Sequence, residues 1–230
     1  YIMNIDHVNE HSSFTDKVYM SNLCQEITLP TKPIQHIDDS NGEIALCILS
    51  AINIGKLSSL EDLEELCDLA VRSLEEIIDY QDYPVKAAEE STKARRSLGI
   101  GYIGLAHYLA KNKVKYDDPH AWQLVNELTE AFQYNLLKSS MELAKEKGPC
   151  KAFNQTKYAK GILPIDTYKK EIDEFLSPEL NYDWNSLRES IRNHGLRHST
   201  LSTQMPSESS SVVSNATNGI EPPRGFLSVK

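Results

Sequence analysis

The stretch LSTQMPSESSS, residues 201–211, runs from a predicted strand into a predicted helix. Residues 199–205 have the composition of a short strand, and Pro206 then opens a helix that we expect to reach about Asn215. A strand that leads into a helix is the building unit of α/β folds. The stretch therefore predicts an α/β architecture for the chain.

Three serines near the start of this helix, Ser207, Ser209 and Ser210, make it a candidate phosphate site. The first amide groups of a helix have no intrahelical partner, and the helix dipole gives them partial positive charge. Serine hydroxyls can add further hydrogen-bond donors. Because N-capping by serine is far more common than phosphate binding, the residues alone leave both explanations open.

Upstream of this stretch the pattern is mostly helical. Residues 43–54 are apolar nearly all round, which predicts a fully buried helix. Periodicity and capping signals predict further helices at residues 59–80, 84–109, 120–147, 166–176 and 183–194. The first forty residues are irregular or extended, and short β-prone pieces occur at residues 1–5, 18–20, 26–29 and 225–229. Mostly helix with a few strands fits part of an α/β barrel.

The stretch GIGYIG, residues 99–104, fits the pattern GxGxxG. A dinucleotide-binding fingerprint needs a strand before the glycines and an acidic residue about 20 residues after them. Here the preceding residues 92–98 are charged and helix-like, and Asp117 is predicted to lie in a turn. We therefore interpret the glycines as small residues at a helix-packing contact.

The composition argues against several classes of function. A net charge of −9 is unlike a general nucleic-acid binder, which needs a basic surface. The sequence contains no apolar run long enough for a transmembrane helix, and we expect no signal peptide. The cysteines have no CxxC spacing, so we expect reduced thiols, no metal site and a cytoplasmic location. Cys67 is predicted to be a core residue, and Cys150 has no assigned role.

The stretch SNLCQEI, residues 21–27, places an amide, a thiol and a carboxylate at alternate positions. In an extended segment, Asn22, Cys24 and Glu26 would point the same way at intervals of about 6.5 Å, while Leu23 and Ile27 would anchor the segment. Such a row suits chemistry on sugar hydroxyls. From spacing alone, a loop with three polar residues by chance is the more common explanation.

Two motifs together carry a resemblance to a known family. NLCxEI at residues 22–27 and PSESSSxxSNATNGIEPPR at residues 206–224 resemble the bacterial and phage branch of the class I ribonucleotide reductase large subunit. Similar stretches between them are NGEIALC at 41–47, DYQDYP at 79–84, YAKGILPIDTY at 158–168 and HGLR at 194–197. The resemblance extends in order over essentially the whole chain.

The resemblance implies a ten-stranded α/β barrel with a central finger loop, of which this chain is a central segment truncated at both ends. It divides the chain into a finger loop at about 18–28, a helical insert at about 42–195, and a strand with a phosphate-binding helix start at about 199–215. The chain has no initiator Met and ends in strand-like sequence, which agrees with a segment of a longer protein.

The resemblance also implies roles for single residues. Cys24 matches the cysteine that becomes a thiyl radical and removes the 3′-hydrogen of a ribonucleotide. Glu26 matches the carboxylate that takes the 3′-hydroxyl proton, and Asn22 matches the amide that holds the sugar hydroxyls. Cys47 matches one of two cysteines that deliver reducing equivalents and end as a disulfide. Substrate contacts are implied for Asn22, Leu23, Cys24, Gln25, Glu26, Pro206, Ser207, Glu208, Ser209 and Ser210.

Cofactors and partners follow from the same resemblance. No cofactor is expected in this chain, because a small subunit with a di-metal centre would supply the radical, and thioredoxin or glutaredoxin the reducing equivalents. The disulfide partner of Cys47, the relay tyrosines, the C-terminal cysteine pair and the ATP and deoxynucleotide effector sites would lie outside the chain, so the chain alone is expected to be inactive. The full-length protein is expected to be a homodimer that acts on ribonucleoside diphosphates, and to bind neither a nucleic-acid polymer nor a membrane.

Two alternatives differ in chemistry. One is a class II reductase that uses adenosylcobalamin as its radical source, against which the PSESSS motif favours class I. The other is a helical scaffold that has lost catalysis. The presence of Asn22, Cys24, Glu26 and Cys47 argues against the scaffold.

Overall fold

The computed structural model describes residues 2–176 and 179–225. In this part of the chain there are two strands, β1 (Ile48–Asn53) and β2 (Leu98–Ile103). The α-helices in the same part are α1 (Ile5–His11), α2 (Asp62–Tyr80), α3 (Lys86–Arg95), α4 (Leu105–Lys111), α5 (Pro119–Lys147), α6 (Pro164–Thr167), α7 (Trp184–His194) and α8 (Glu208–Val213). Short 3-10 helices lie at Ile54–Lys56, Phe153–Gln155, Tyr158–Lys160 and Lys170–Glu174.

The strands β1 and β2 are parallel, with Ser50 opposite Ile100. On the side of β2 away from β1, Ile100 forms a parallel bridge to Ser202. The Ile100 N–H donates to Leu201 C=O at 2.8 Å, and the Ile100 C=O accepts from Thr203 N–H at 3.1 Å. Three chain segments therefore lie side by side with β2 in the middle, and helices form the long connections that parallel strands require. The predicted mixed α/β class is confirmed.

The prediction of a buried helix at residues 43–54 is wrong, because this run contains strand β1. An apolar run of this length is compatible with either a buried strand or a buried helix, and periodicity cannot distinguish the two. Pairing with β2 along the full length of β1 decides in favour of the strand. The predicted helical insert at 42–195 thus contains both strands of the described sheet.

The single helix predicted at residues 84–109 is also wrong. Helix α3 ends at Arg95, and Arg96 adopts a left-handed conformation with φ of 48°. The chain then enters β2, all six residues of which are buried, before α4 begins. The GIGYIG glycines therefore lie on and directly after a strand, and their interpretation as a helix-packing contact is wrong.

Three long helices follow the sequence prediction closely, namely α2, α5 and α7. The Asp118 carboxylate accepts from His120 N–H at 2.9 Å and caps the start of α5, and Gly148 with φ of 81° ends that helix. Asp183 caps α7 through Ser186 N–H at 3.0 Å, and Gly195 ends it. These boundaries were predictable because the capping residues act locally.

Other local predictions were less accurate. Helix α1 occupies a region predicted to be irregular or extended, and the described residues of 18–20 and 26–29 form no strand. The helix predicted at 166–176 is replaced by α6 and a 3-10 helix. Most of the strand predicted at 225–229 lies outside the described residues.

Helices α2 and α5 pack on each other and on the sheet to form the main core. Leu63, Val71 and Ile78 of α2 are completely buried, and burial of each such side chain contributes about 1.5–3 kcal/mol. Cys67 lies on the same face and is completely buried, as predicted.

A buried charge cluster on α2 holds later segments of the chain in place. Glu75 has no exposed surface, and its carboxylate accepts from Arg96 Nε at 2.7 Å and from Arg197 Nε at 2.7 Å. His198 Nε2 lies 3.0 Å from the same carboxylate. Burial raises the pKa of Glu75, but the hydrogen bonds from His198, Arg96 and Arg197 outweigh it and hold the pKa well below its usual value. This cluster fixes the start of the segment that runs to Ser202.

Candidate active site

The segment 22–27 is a tight turn and not an extended run. Gln25 N–H donates to Asn22 C=O at 3.2 Å, and Asn22 N–H donates to Ile27 C=O at 3.2 Å. Gln25 has a φ of 64°, which reverses the chain direction. The prediction that alternation along an extended strand aligns Asn22, Cys24 and Glu26 is therefore wrong in its geometry. Leu23 is 91% exposed and is not the anchor that was expected.

The turn still brings the predicted amide and carboxylate together. Asn22 Nδ2 donates to Glu26 Oε1 at 2.6 Å, and Asn22 Oδ1 accepts from Ile27 N–H at 3.1 Å. The second carboxylate oxygen, Glu26 Oε2, is buried and has no hydrogen-bond partner among the described residues. A buried acceptor without a donor costs free energy, so this atom is suited to receive a hydrogen bond from a ligand.

Cys24 lies at the tip of this turn, between Asn22 and Glu26, and it is exposed. Cys24 is therefore accessible from solvent on the same turn that carries the Glu26 carboxylate. A thiol, an amide and a carboxylate within five consecutive residues can together hold a hydroxyl-bearing ligand and exchange hydrogen or protons with it.

Cys47 directly precedes β1 and is the second thiol of the site. Burial raises its pKa to about 12, and the nearby negative charge of Glu26 contributes to this rise. The thiol is therefore protonated at neutral pH. A Cβ atom at Gly99 would lie only 2.7 Å from Cys47 Sγ and 2.8 Å from Thr203 Cγ2, so only glycine permits this close approach.

Gly99 and Thr203 are site residues that the sequence analysis missed. The Thr203 hydroxyl donates to Glu26 C=O at 2.5 Å and so joins the turn to the segment that leads into α8. The sequence signal that could have revealed this close approach is the spacing of Gly99 and Gly101, which lie on one face of β2 once it is recognised as a strand. The turn at residues 22–27 and the stretch at residues 201–211 are therefore in direct contact through Thr203.

The helix predicted to follow Pro206 is α8, which is shorter than expected. Glu208, Ser209 and Ser210 are exposed at its first turn, whereas Ser207 is buried. The Ser207 hydroxyl donates to Asn218 Oδ1 at 3.1 Å and accepts from Gly219 N–H at 3.2 Å. Glu208, Ser209 and Ser210 are thus the residues that this helix start presents to solvent, whereas the Ser207 hydroxyl is held by Asn218 and Gly219.

Neither a metal site nor a membrane-spanning helix was found over residues 2–176 and 179–225. His7 and His11 lie one turn apart on α1, but no group of three or more histidine, cysteine or acidic side chains is arranged to hold a metal ion in this part of the chain. The helices described there are too short or too polar to cross a membrane.

Comparison with known protein families identifies the family of this chain. The family model described as ribonucleotide reductase, barrel domain, matches residues 1–230. The chain belongs to this family. Its mixed α/β structure is thus that of a ribonucleotide reductase barrel domain, in which the described residues form an open sheet.

Relatives with the name ribonucleoside-diphosphate reductase subunit alpha match the complete chain. The protein of Haemophilus influenzae is 63% identical over 233 residues, and that of Escherichia coli, with the name ribonucleoside-diphosphate reductase 1 subunit alpha, is 59% identical over 233 residues. The protein of enterobacteria phage T4 is 44% identical over 235 residues. The chain spans only 30–31% of the length of these ribonucleotide reductase relatives. The predicted resemblance to bacterial and phage large subunits, as a segment, is confirmed.

Proposed function

We propose that this chain is part of the catalytic barrel of a ribonucleoside-diphosphate reductase large subunit, which converts ribonucleotides into deoxyribonucleotides by thiyl-radical chemistry. The observation that carries the proposal is the turn in which exposed Cys24 lies between Asn22 and Glu26, with the Cys47 thiol close to the Glu26 carboxylate. The names and high identity of the relatives support it.

The full barrel in this proposal has ten strands around a finger loop at about residues 18–28. The parallel arrangement of β1, β2 and the segment at Ser202 supports it, because three adjacent parallel segments could be part of such a sheet. The hydrogen bond from Thr203 to Glu26 supports placing the finger loop beside these segments.

In the proposed reaction, Cys24 as a thiyl radical takes the hydrogen atom from C3′ of the ribose. Glu26 accepts the 3′-hydroxyl proton, and the unpaired Oε2 atom is the oxygen suited to this step. Asn22 holds Oε1 of the carboxylate through its 2.6 Å hydrogen bond and so fixes the orientation of Oε2. Leu23 and Gln25 complete the substrate contacts of the turn.

Cys47 is proposed to supply reducing equivalents as the 2′-hydroxyl leaves as water, forming a disulfide with a cysteine outside this chain. Its raised pKa supports this role, because a protonated thiol can donate both a hydrogen bond and a proton to the departing hydroxyl. Gly99 supports it as well, since the absence of a side chain lets the thiol lie against β2.

The diphosphate of the substrate is proposed to bind at residues 206–210, that is, Pro206, Ser207, Glu208, Ser209 and Ser210. Exposure of the first turn of α8 supports this placement, because its amides carry partial positive charge. The hydrogen bond from Thr203 to Glu26 connects this segment to the turn that would hold the ribose.

The remaining parts of the proposal concern the full-length protein. It would be a cytoplasmic homodimer that receives its radical from a small subunit with a di-metal centre and its electrons from thioredoxin or glutaredoxin. ATP and deoxynucleotide effectors would bind outside this chain, which alone would be inactive.

The test is a Cys24→Ser variant of the full-length large subunit, assayed with its small subunit for deoxynucleotide formation. We expect loss of turnover with retained nucleotide binding, because serine keeps the size of the side chain but cannot form the required radical. A Cys150→Ala variant is the matched control, since Cys150 is buried in the loop after α5 and has no proposed role. Deoxynucleotide formation by Cys24→Ser at the normal rate would refute the proposed function.

A further inference from the structure

The last residue of α3, Arg95, is buried and holds two carboxylates from different parts of the chain. Its Nε donates to Glu43 Oε2 at 2.7 Å, and its Nη2 donates to Asp16 Oδ2 at 2.8 Å. Only 4% of the Arg95 side chain is exposed. The third nitrogen, Nη1, is buried and has no hydrogen-bond partner among the described residues. The two ion pairs are therefore the polar contacts that fix this guanidinium.

The two carboxylates lie on the two segments that carry the thiols of the candidate site. Asp16 precedes the turn at residues 22–27, on which Cys24 is exposed. Glu43 lies four residues before Cys47. One arginine side chain therefore links the chain leading to the first thiol with the chain leading to the second.

A small apolar cluster joins the same two segments. It is separate from the main core, and its buried members come from the first segment: Phe14, Val18 and Leu29. Ala45 and Cys47 of the second segment pack against this cluster. The Cζ atom of Arg95 lies 5.7 Å from the centre of the Phe14 ring, so the guanidinium borders the cluster. Apolar packing is not directional, whereas the two ion pairs have fixed geometry.

The backbone of Arg95 has a different contact from its side chain. Arg95 C=O accepts from Ser199 N–H at 3.0 Å, at the start of the segment that leads to residues 201–211. A change of side chain leaves this backbone hydrogen bond in place. Substitution of Arg95 should therefore act on the two thiol segments and spare the segment at 206–210.

We propose that Arg95 is a positioning residue for the proposed reaction. By holding Asp16 and Glu43 together, its guanidinium sets the position of the turn relative to the Cys47 thiol. The inference rests on the proposed function, in which both thiols act on one ribose. A planar guanidinium donates to two carboxylates in fixed directions, whereas a lysine ammonium is a single charge on a flexible stem and does not reproduce this geometry.

The first test is Arg95→Lys in the full-length large subunit, assayed with its small subunit for deoxynucleotide formation. Lysine keeps the positive charge, and Glu43 keeps its ion pair with Lys32, so the variant should fold. We expect kcat to fall about tenfold to a hundredfold, because a displacement of about 1 Å at the reacting groups has an effect of this size. KM for the ribonucleoside diphosphate should stay within about twofold of the wild-type value.

The second measurement is local and does not depend on activity. Iodoacetamide labelling of Cys47 is followed by mass spectrometry and compared with labelling of Cys67 in the same sample. Cys67 is completely buried in the main core, so its labelling reports general loosening of the protein. We expect Arg95→Lys to raise the labelling rate of Cys47 several-fold and to leave that of Cys67 unchanged. Parallel rises at both thiols would show a purely structural role and overturn the proposal.

Asp16→Ala tests the same contact from the turn side, and it carries the test if Arg95→Lys does not fold. The Asp16 side chain is 37% exposed, so its loss should be tolerated. We expect the same fall in kcat without a rise in KM. The double variant should be no more impaired than the weaker single variant, because both changes disrupt one ion pair. Additive losses would contradict a shared role.

Arg72→Lys is the matched control. Arg72 also pairs with two carboxylates, Asp68 and Glu146, but these lie on α2 and α5. Its kcat, KM and Cys47 labelling should be those of the wild type. Normal kcat and normal Cys47 labelling in Arg95→Lys would overturn the positioning role. A wild-type enzyme that forms no deoxynucleotide would overturn the proposed function, whereas the labelling comparison would still decide whether Arg95 positions Cys47.

Discussion

Replacement of Gly99 by alanine should disturb the candidate active site directly. A Cβ atom at this position would lie 2.6 Å from Leu49 Cδ2, 2.7 Å from Cys47 Sγ and 2.8 Å from Thr203 Cγ2. All three distances are below 3.0 Å, and real Cβ atoms essentially never come this close to a non-bonded heavy atom. Leu49 is 43% exposed and can rotate away, but Cys47 is mostly buried and Thr203 is held by hydrogen bonds to Ile100 and Glu26.

The expected magnitude follows from these contacts. Overpacking of a well-packed region costs about 1–3 kcal/mol in the free energy of unfolding. If Thr203 moves, its hydrogen bond to Glu26 C=O is also lost, which costs about 1 kcal/mol more. Turnover should fall by on the order of tenfold to a hundredfold, because a small displacement of Cys47 or Glu26 misaligns the reacting groups.

The assay is thermal unfolding and deoxynucleotide formation by the full-length Gly99→Ala protein with its small subunit. Gly148→Ala is the matched control: Gly148 has φ of 81°, so alanine introduces backbone strain, but nothing lies within 4 Å of the added atom. It should lower stability by about 1 kcal/mol without loss of turnover. Adding Thr203→Ser to Gly99→Ala removes one clash while keeping the hydroxyl, and should recover part of the activity. Gly99→Ala with normal stability and normal turnover would refute the steric argument.

Three further predictions concern the charge cluster and the thiols. Glu75→Gln should lower the free energy of unfolding by about 3–5 kcal/mol in chemical denaturation, because Arg197 and Arg96 lose a buried anionic partner. The control is Glu76→Gln, which should cost about 0–1 kcal/mol because the Glu76 side chain is 72% exposed. Equal effects of the two changes would contradict the role of burial. The melting temperature should fall as the pH drops below about 6.5, and more steeply below about 4.5. Burial lowers the pKa of His198 and hydrogen bonds lower that of Glu75, so the unfolded chain takes up protons more readily than the folded chain. A melting temperature that stays constant or rises as the pH is lowered would argue against these two pKa shifts. At neutral pH, iodoacetamide should modify exposed Cys24 well before Cys47, because the pKa of about 12 keeps Cys47 protonated as a thiol. The measurement is mass spectrometry of the labelled peptides over time. Equal rates of labelling would rule out the described environment of Cys47.

The helices of the chain could be predicted where their signals are local. Asp118 and Gly148 delimit α5, and Asp183 and Gly195 delimit α7, because a capping side chain or a left-handed glycine acts on backbone groups within one turn. The strands could not be predicted in the same way. Residues of β1 form an apolar run that suits a buried helix equally well, and only pairing with β2, fifty residues later, selects the strand.

The same distinction between local and long-range interactions applies to the candidate site. Sequence alone identified Asn22, Cys24, Glu26 and Cys47 and the family to which their motif belongs, because residue type and order are properties of the chain itself. It placed the first three on an extended segment, and the turn at Gln25 was not foreseen, since a non-glycine residue rarely adopts a positive φ.

Sequence by itself therefore determined which chemical groups this protein carries, where its capped helices begin and end, and which family it resembles. Tertiary structure alone decided that Gly99 makes room for Cys47, that Thr203 joins the turn at residues 22–27 to the stretch at residues 201–211, and that Asn218 accepts a hydrogen bond from the Ser207 hydroxyl. The physical reason is the distance along the chain over which each kind of interaction acts. Capping and turn preferences act between neighbouring residues, whereas close packing and hydrogen bonding inside the site depend on groups that are distant along the chain and meet only when the sheet has formed.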